Sequence, residues 1–367
     1  MYMFERQVWA AVPFHFWSLV FFVVGSVVGS FLNVCIHRLP REESIISPPS
    51  HCPHCNYHIP WYLNLPLFTW ICLRGRCANC GARISFRYFL VELLTASCFL
   101  SCWIVFGRQS AGLALVYCLA LSGFIVATFI DFEHFIIPDQ ITLGGIAAGF
   151  LCSFVVPALH GVTRPAPSLE RSFWGIAVGA LLVYGILRAA KVFFGRQKVN
   201  LPPDTKVIFG EEGLKLPDRE IPYEELFYRK SDVLQLHAKT ARVDERVLED
   251  VPLRLTPTLL EVGNERFKPE EVTNLEVVTD RMVLPREAMG LGDVKFMAAI
   301  GAFLGWRAVI FSLMLSSVIG SAVGLALIAF RKKDWSSRIP YGPYIAIAAA
   351  IWIFAGRRLV ALWLGRV

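Results

Sequence analysis

Two aspartates and four cysteines carry most of the chemistry legible in this chain. Asp293 lies in Gly290-Leu291-Gly292-Asp293-Val294-Lys295, at the mouth of an apolar run that continues to Trp306. Asp131 closes a second apolar run, 113–130. An ionisable group at membrane depth is expensive to keep there, and Gly290 and Gly292, with no Cβ, let a backbone or a substrate approach closely. Two carboxyls within reach of one water can share a proton. One then activates the water as a base, while the other protonates a leaving group or polarises a carbonyl. Lys295 is placed to lower the charge cost of the ionised pair. Glu92, about a turn inside another apolar run, is a further acid that either snorkels to the interface or serves the site. Taken singly, each aspartate also reads as a polar residue at a helix end.

The cysteines divide into two groups. Cys52-Pro53-His54-Cys55 and Cys77-Ala78-Asn79-Cys80 are two C-x-x-C pairs a little over twenty residues apart. That is the spacing of a four-thiolate zinc ribbon. A closed four-sulfur site is structural, so the metal staples a loop and does no chemistry. A disulfide or redox pair is the alternative, and a cytosolic location disfavours it. His51, His54 and His58 crowd the first knuckle as neighbours more than as ligands. Cys35, Cys98, Cys102, Cys118 and Cys152 lie in apolar runs as small buried hydrophobes.

These residues must be positioned by membrane-spanning elements. Of 367 residues, 55% are hydrophobic and 18% charged, where soluble domains have about 45–50% and about 25%. The apolar residues gather into runs near the ~20 needed to cross a bilayer: 16–36, 88–106, 113–130, 141–156, 173–194, 289–306, 308–330 and 341–354. No cleavable leader is evident at the N-terminus. Gly25, Gly29 and their small neighbours suit close helix packing. Arginines in the 38–87 loop, Arg188, Lys191 and Arg196 near the end of the fifth run, and Arg331-Lys332-Lys333 after the seventh place those segments in the cytoplasm. Arg357-Arg358 would then lie outside, so the last span fits the rule least well. The topology independently brings Asp131 and Asp293 to the cytoplasmic face. The net charge of +7 belongs to these loops and gives no nucleic-acid signal.

The expected fold is therefore an all-α polytopic membrane protein of about eight transmembrane helices, with a cytoplasmic zinc-ribbon loop and a small β-rich soluble insertion. Its expected parts are 1–37 (first span), 38–87 (zinc ribbon), 88–195 (spans two to five, with Asp131), 196–286 (insertion) and 287–367 (spans six to eight, with Asp293). The insertion is strongly charged, and its short alternating runs at 206–209, 233–237, 251–255 and 259–262 read as strands. Disorder is the competing reading.

Gly290-Leu291-Gly292-Asp293-Val294-Lys295, Asp131 and Ile137-Pro138-Asp139 resemble the type IV prepilin peptidases, membrane aspartic proteases with a G-x-G-D motif. The likeness covers nearly the whole chain. It extends to Gly29-Ser30-Phe31-Leu32-Asn33 and on to Arg38-Leu39-Pro40, to both cysteine pairs, to Arg87-Tyr88 with Val91-Glu92, and to Ile339-Pro340-Tyr341-Gly342-Pro343. The resemblance implies cleavage of prepilins or pseudopilins after a glycine at the cytoplasmic face of the bacterial inner membrane, with Asp131 and Asp293 as the catalytic pair. It also implies N-methylation of the new N-terminus from S-adenosylmethionine, linked to the N-terminal cytoplasmic domain. No G-x-G-x-x-G fingerprint supports that donor independently, so a peptidase without methyl transfer is the alternative. Pilus or secretion assembly components are the implied partners. The 196–286 stretch is longer than the family's usual loop. From other functional classes, a proton-coupled transporter would spread acids across membrane depth and show internal repeats, and a zinc-anchored scaffold would not need the aspartates.

Overall fold

A backbone in lipid has to satisfy its own hydrogen bonds, and each apolar run of this sequence becomes a helix. The structure is a computed structural model that describes residues 13–194, 196–210, 213–217, 220–227, 232–244, 246–269, 272, 274–285, 290–330, 339–356, 358, 359 and 361. In chain order it has α1 (Phe14–Arg38), a short α2 (Phe68–Cys72), α3 (Phe86–Cys102), α4 (Ala111–His134), α5 (Asp139–Val155) and α6 (Pro165–Phe194). A run of strands follows, then α8 (Leu291–Leu304), α9 (Trp306–Ala329) and α10 (Gly342–Ile351). π-helical turns at Trp103–Gly107 and Trp352–Gly356 prolong α3 and α10. Met1–Tyr184 with Gly290–Val367 form one compact unit and Gly185–Met289 another.

Among the described residues, five helices are long and apolar enough to cross a membrane: Phe14–Arg41, Phe86–Gly107, Ala111–His134, Pro165–Lys191 and Trp306–Ala329. The other three expected spans, α5, α8 and α10, are apolar but have 17, 14 and 10 residues. The expected sixth run continued through Trp306. Gly305, at φ 77°, ends α8, and Trp306 begins α9 instead. Arg331-Lys332-Lys333, Met289 and Arg357 lie outside the described residues.

In the helical unit, α1 lies along α3 with Gly25 against Ala96 and Phe99, and Gly29 against Glu92 and Thr95. Leu32, Ile36, Val91, Ile125 and Ile130 form the buried cluster that joins these two helices to α4. A tighter crossing joins α6 to α8. At Gly175 and Gly301 each backbone occupies the place where the other's Cβ would stand, and Ser172 Oγ donates to Ala302 O at 2.8 Å. The close approach explains Gly175-Ile176-Ala177-Val178-Gly179, a small-residue spacing that favours helix contact in lipid.

The second unit is an antiparallel sheet, so "all-α" describes the helical unit alone. Its strands are β1 (Arg196–Phe209), β2 (Gly213–Lys215), β3 (Glu220–Pro222), β4 (Leu234–Val243), β5 (Arg246–Leu255), β6 (Leu260–Val262), β7 (Glu265–Phe267) and β8 (Leu275–Pro285), with one helical turn, α7 (Tyr223–Leu226). The order is β3-β2-β1-β8-β4-β5-β6-β7. Alternation drives it: in β4 and β8 buried residues alternate with more exposed ones apart from one slip in each, after Ala238 and after Thr279, and Leu234, Leu236, Leu253, Val277 and Met282 share one core. The strand runs expected at 206–209, 233–237, 251–255 and 259–262 fall in β1, β4, β5 and β6, which argues against disorder there. First and last strands pair, with Arg196 opposite Pro285 and Phe209 opposite Leu275. The ladder shifts between Asn200 and Thr205, where two prolines withdraw their N–H groups. Lys239 ties this irregularity down with ion pairs to Asp204 (2.8 Å) and Asp280 (2.7 Å).

The α6–α8 crossing yields a first prediction. Gly175→Val forces the helices apart and is expected to destabilise the helical unit by about 3 kcal/mol or more, read as a lowered Tm in detergent. Leu181→Val, at an outward-facing position of α6, is the control and should leave Tm nearly unchanged.

Candidate active site and metal centre

Both aspartates sit at the start of a helix, one belonging to its own chain segment and one to a distant one. α4 runs past the apolar stretch to His134, so Asp131 lies inside its last turn. The residue is 6% exposed, and its Oδ2 accepts the N–H of Gly342 at 2.8 Å. Gly342 is the first residue of α10, where helix N–H groups lack intrahelical partners and the dipole favours negative charge. Asp293 is 9% exposed in the first turn of α8, and its Oδ2 accepts the N–H of Gly290 at 3.3 Å. Asp293 thereby caps its own helix, the carboxylate half of a capping box. The two carboxyls are near enough for their charges to interact.

Ile137, buried in the turn between α4 and α5, sets their spacing. A Cβ on Gly292 would lie 3.4 Å from the Ile137 Cβ. A Cβ on Gly342 would lie 3.0 Å from the Ile137 Cδ1 and 2.8 Å from Asp131 Oδ2. The backbones bearing or binding the two carboxyls thus close on one side chain. The turn is built by Phe135 in the left-handed region (φ 56°), whose N–H returns to Asp131 O at 3.0 Å. Pro138 then starts α5.

Lys295 was expected to ease the charge of the aspartate pair. Its Nζ instead reaches Asp139, at 2.6 and 2.9 Å to the two carboxylate oxygens. The ion pair joins the first turn of α8 to the first residue of α5, so the lysine acts on the frame and not on the carboxyls. Gly342, Ile137 and Asp139 were not singled out as site residues. Pro138-Asp139 and Gly342-Pro343 do carry the signal, since proline in a first turn marks a helix start. Glu92 neither snorkels nor joins the aspartates. It is 8% exposed, and its Oε2 accepts the N–H of Leu67 at 2.7 Å, tying the 39–85 loop to α3. Arg87 and Glu133 form a close ion pair between the start of α3 and the end of α4.

The two C-x-x-C knuckles are near copies. Asn56 and Gly81 donate N–H bonds to Cys52 O and Cys77 O at 2.9 and 3.0 Å, and both have positive φ (52° and 70°). Each knuckle closes with an antiparallel bridge, His51 to His58 and Arg76 to Arg83. All four Sγ atoms lie within 4.8 Å of one another. Cys52–Cys80 and Cys55–Cys77 sulfurs are 3.9 and 4.0 Å apart. Tetrahedral zinc with bonds of about 2.3 Å wants sulfurs about 3.8 Å apart, so the donor set fits the ion. Backbone N–H groups of Cys80 and Asn79 pull the Cys77 thiol down to about 6, and the N–H of Tyr57 chiefly lowers Cys55. Thiolate is the ligand form. No histidine joins this group among the described residues.

The family described as the bacterial peptidase A24 N-terminal domain matches residues 23–106. The type IV leader peptidase family matches 118–200 and 273–325, leaving out most of the sheet. The chain is 29% identical to a prepilin leader peptidase/N-methyltransferase of Aeromonas hydrophila, over 96% of this chain and 95% of the relative. It is 36% identical to the Dichelobacter nodosus protein of the same name, over 48% of this chain and 69% of that one. It is 33% identical to a type 4 prepilin-like proteins leader peptide-processing enzyme of Escherichia coli O78:H11, over 49% and 70%. No solved structure matches the chain.

For the metal centre, purified protein is expected to hold one zinc per chain by elemental analysis. Cys52→Ser combined with Cys77→Ser, or chelation, should remove it and open the 39–85 loop to limited proteolysis. Normal protease resistance in metal-free wild type would refute a stapling role.

Proposed function

The chain belongs to the type IV leader peptidase family, and we propose that it processes prepilins with Asp131 and Asp293 as the catalytic pair. The observation that carries the assignment is the pair of buried carboxyls within electrostatic reach of each other, each engaged by a single backbone N–H. Each uses Oδ2 for that bond, and the remaining oxygens serve water and substrate. One carboxylate takes a proton from water as the water attacks the scissile carbonyl. The other, protonated, donates to the carbonyl oxygen; the first carboxyl then passes the proton it took from water to the leaving amine as the C–N bond breaks, and the second regains its proton from the gem-diol hydroxyl as the carbonyl re-forms. A shared proton makes the two titrate as a unit. The substrate's apolar segment lies in the bilayer beside the leader's glycine, which suits a site at the ends of α4 and α8.

Eight spans in the bacterial inner membrane complete this reading, with α5, α8 and α10 as short spans and both aspartates at the cytoplasmic face. Cys52, Cys55, Cys77 and Cys80 hold zinc, which anchors the loop and takes no chemical part. The second activity is methylation of the new N-terminal amine in the 23–106 region. S-Adenosylmethionine supplies an electrophilic methyl group on a sulfonium centre. A peptidase without methyl transfer is the second reading, favoured if the loop only docks substrate. The insertion is a candidate surface for pilus or secretion components.

Asp131→Asn and Asp293→Asn should each lower cleavage of a prepilin by about a thousandfold or more, with zinc content and Tm unchanged. Gel-shift and mass-spectrometric assays read this directly, and full processing by either variant refutes the pair. Gly342→Ala brings a Cβ against Asp131 Oδ2. It should lower kcat by about 100-fold while leaving zinc content intact.

A further inference from the structure

Gly342 holds Asp131, and something has to hold Gly342. The N–H it donates belongs to the planar peptide unit whose carbonyl is that of Tyr341, so the placement of Tyr341 aims that N–H. Tyr341 stands just before α10, and its side chain makes no capping bond to the helix. Its hydroxyl goes to α9 instead, lying 2.8 Å from Ser316 Oγ and 3.0 Å from Ser317 Oγ. Both serines also reach Leu313 O, at 3.0 and 2.8 Å. The hydrogens balance when Ser317 donates to Tyr341 Oη, Tyr341 donates to Ser316, and Ser316 donates to Leu313 O. Ser316 is 0% exposed, and a polar bond at a buried apolar crossing holds one geometry where smooth side chains would slide. The seat continues along α9. Ser316, Gly320 and Gly324 follow one another at four-residue spacing and so share a helix face. A Cβ on Gly320 would stand 3.2 Å from Tyr344 Cδ2 and 3.7 Å from Tyr341 Cε2, and one on Gly324 would stand 3.4 Å from Ile339 Cδ1. Residues 339–344 therefore lie against that face, with the Tyr341 hydroxyl as a polar anchor.

We infer that Tyr341 is a positioning residue for the aspartate pair: tethered to Ser316 and Ser317 of α9, it fixes the start of α10 so that the Gly342 N–H meets Asp131 Oδ2. The inference rests on the peptidase reading proposed above, and it gives α9, which carries neither aspartate, a part in the reaction. The carbonyl end of the same peptide unit is already committed, since Tyr341 O accepts from the N–H groups of Tyr344 and Ile345 at 3.1 and 3.3 Å. Loss of the phenol hydroxyl frees the side chain from α9 and lets that unit tilt, which turns the N–H away from Asp131. Small misplacements of this kind are costly to a rate. They cost little stability here, because both serine hydroxyls can still donate to Leu313 O and no buried donor is stranded.

The test is steady-state cleavage of a prepilin by the full-length protein in lipid nanodiscs, with kcat and KM measured separately. Tyr341→Phe keeps the ring and removes only the hydroxyl. It should lower kcat about tenfold while leaving KM unchanged and Tm nearly so. Ser316→Ala combined with Ser317→Ala should lower kcat to the same degree. All three substitutions together should cost no more than Tyr341→Phe alone, because each variant removes the same tether. A tether that only stabilised the bundle would lower Tm and leave kcat, measured well below Tm, at the wild-type value. A folded Tyr341→Phe with wild-type kcat, or losses that multiply in the triple variant, overturns the inference. If wild type cleaves, Asp131→Asn does not and Tyr341→Phe cleaves fully, the inference falls alone and the catalytic pair stands. If folded wild type leaves prepilin uncleaved, the peptidase reading falls and takes the inference with it.

Discussion

Everything in the helical unit answers to one constraint: two carboxyls have to be kept close together inside an apolar bundle. Burial and mutual repulsion both oppose this, and the fold offsets them with helix N-termini. Asp293 caps α8, the helix that carries it, and Asp131 at the end of α4 caps α10, more than two hundred residues away. A helix start offers unpaired N–H groups and a partial positive charge at no cost in lysines or metals. The arrangement leaves each carboxyl held by a backbone N–H and not by a lysine or arginine among the described residues. An ion pair to Lys295 would have fixed one aspartate as a permanent anion. The lysine is diverted to Asp139, where it aligns α5 with α8. Ile137 then sets the gap, because both Gly292 and Gly342 close on it.

The four-cysteine loop is joined to the same frame by bonds of a different kind. Glu92 holds Leu67 from inside α3, and α3 is itself tied to its neighbours, with Asn33 of α1 reaching the carbonyl of Tyr88 and Arg87 pairing with Glu133 of α4, two residues beyond Asp131. Trp70 adds an apolar anchor, its ring 5.6 and 5.1 Å from those of Phe86 and Phe89 at the start of α3.

Much of this was legible in the chain because it is written in short local patterns. The C-x-x-C pairs specify their knuckles through five-residue turns, and Asp293 follows glycines that mark a helix start. Long apolar runs leave few alternatives to helices. What escaped was set by long-range partners. Nothing near Asp131 names Gly342, and nothing near Lys295 names Asp139, because those contacts span 211 and 156 residues. Glu92 was ambiguous for the same reason, since its partner lies across a loop. The α8–α9 boundary was missed because Gly305 is a single residue inside an unbroken apolar run. The strand pattern of 275–285 escaped as well, because the alternation of buried residues slips between Thr279 and Met282 and its polar positions masked it in a highly charged stretch.

The sheet raises the question of how an extra unit can be placed between two halves of a site without spoiling it. Its topology supplies the answer. β1 and β8 are neighbours along their whole lengths, with Arg196 across from Pro285. The chain therefore leaves for the insertion and comes back at adjacent points, and the sheet imposes no long span on the segments that flank it. Its core is its own, built from Leu234, Leu253, Val277, Met282 and their neighbours. The family match passes from residue 200 to 273 with the intervening strands left out, which is what insertion at a pair of adjacent ends predicts. A unit closed in this way can vary in size or content while α6 and α8 keep their crossing at Gly175 and Gly301, and with it the placement of Asp293.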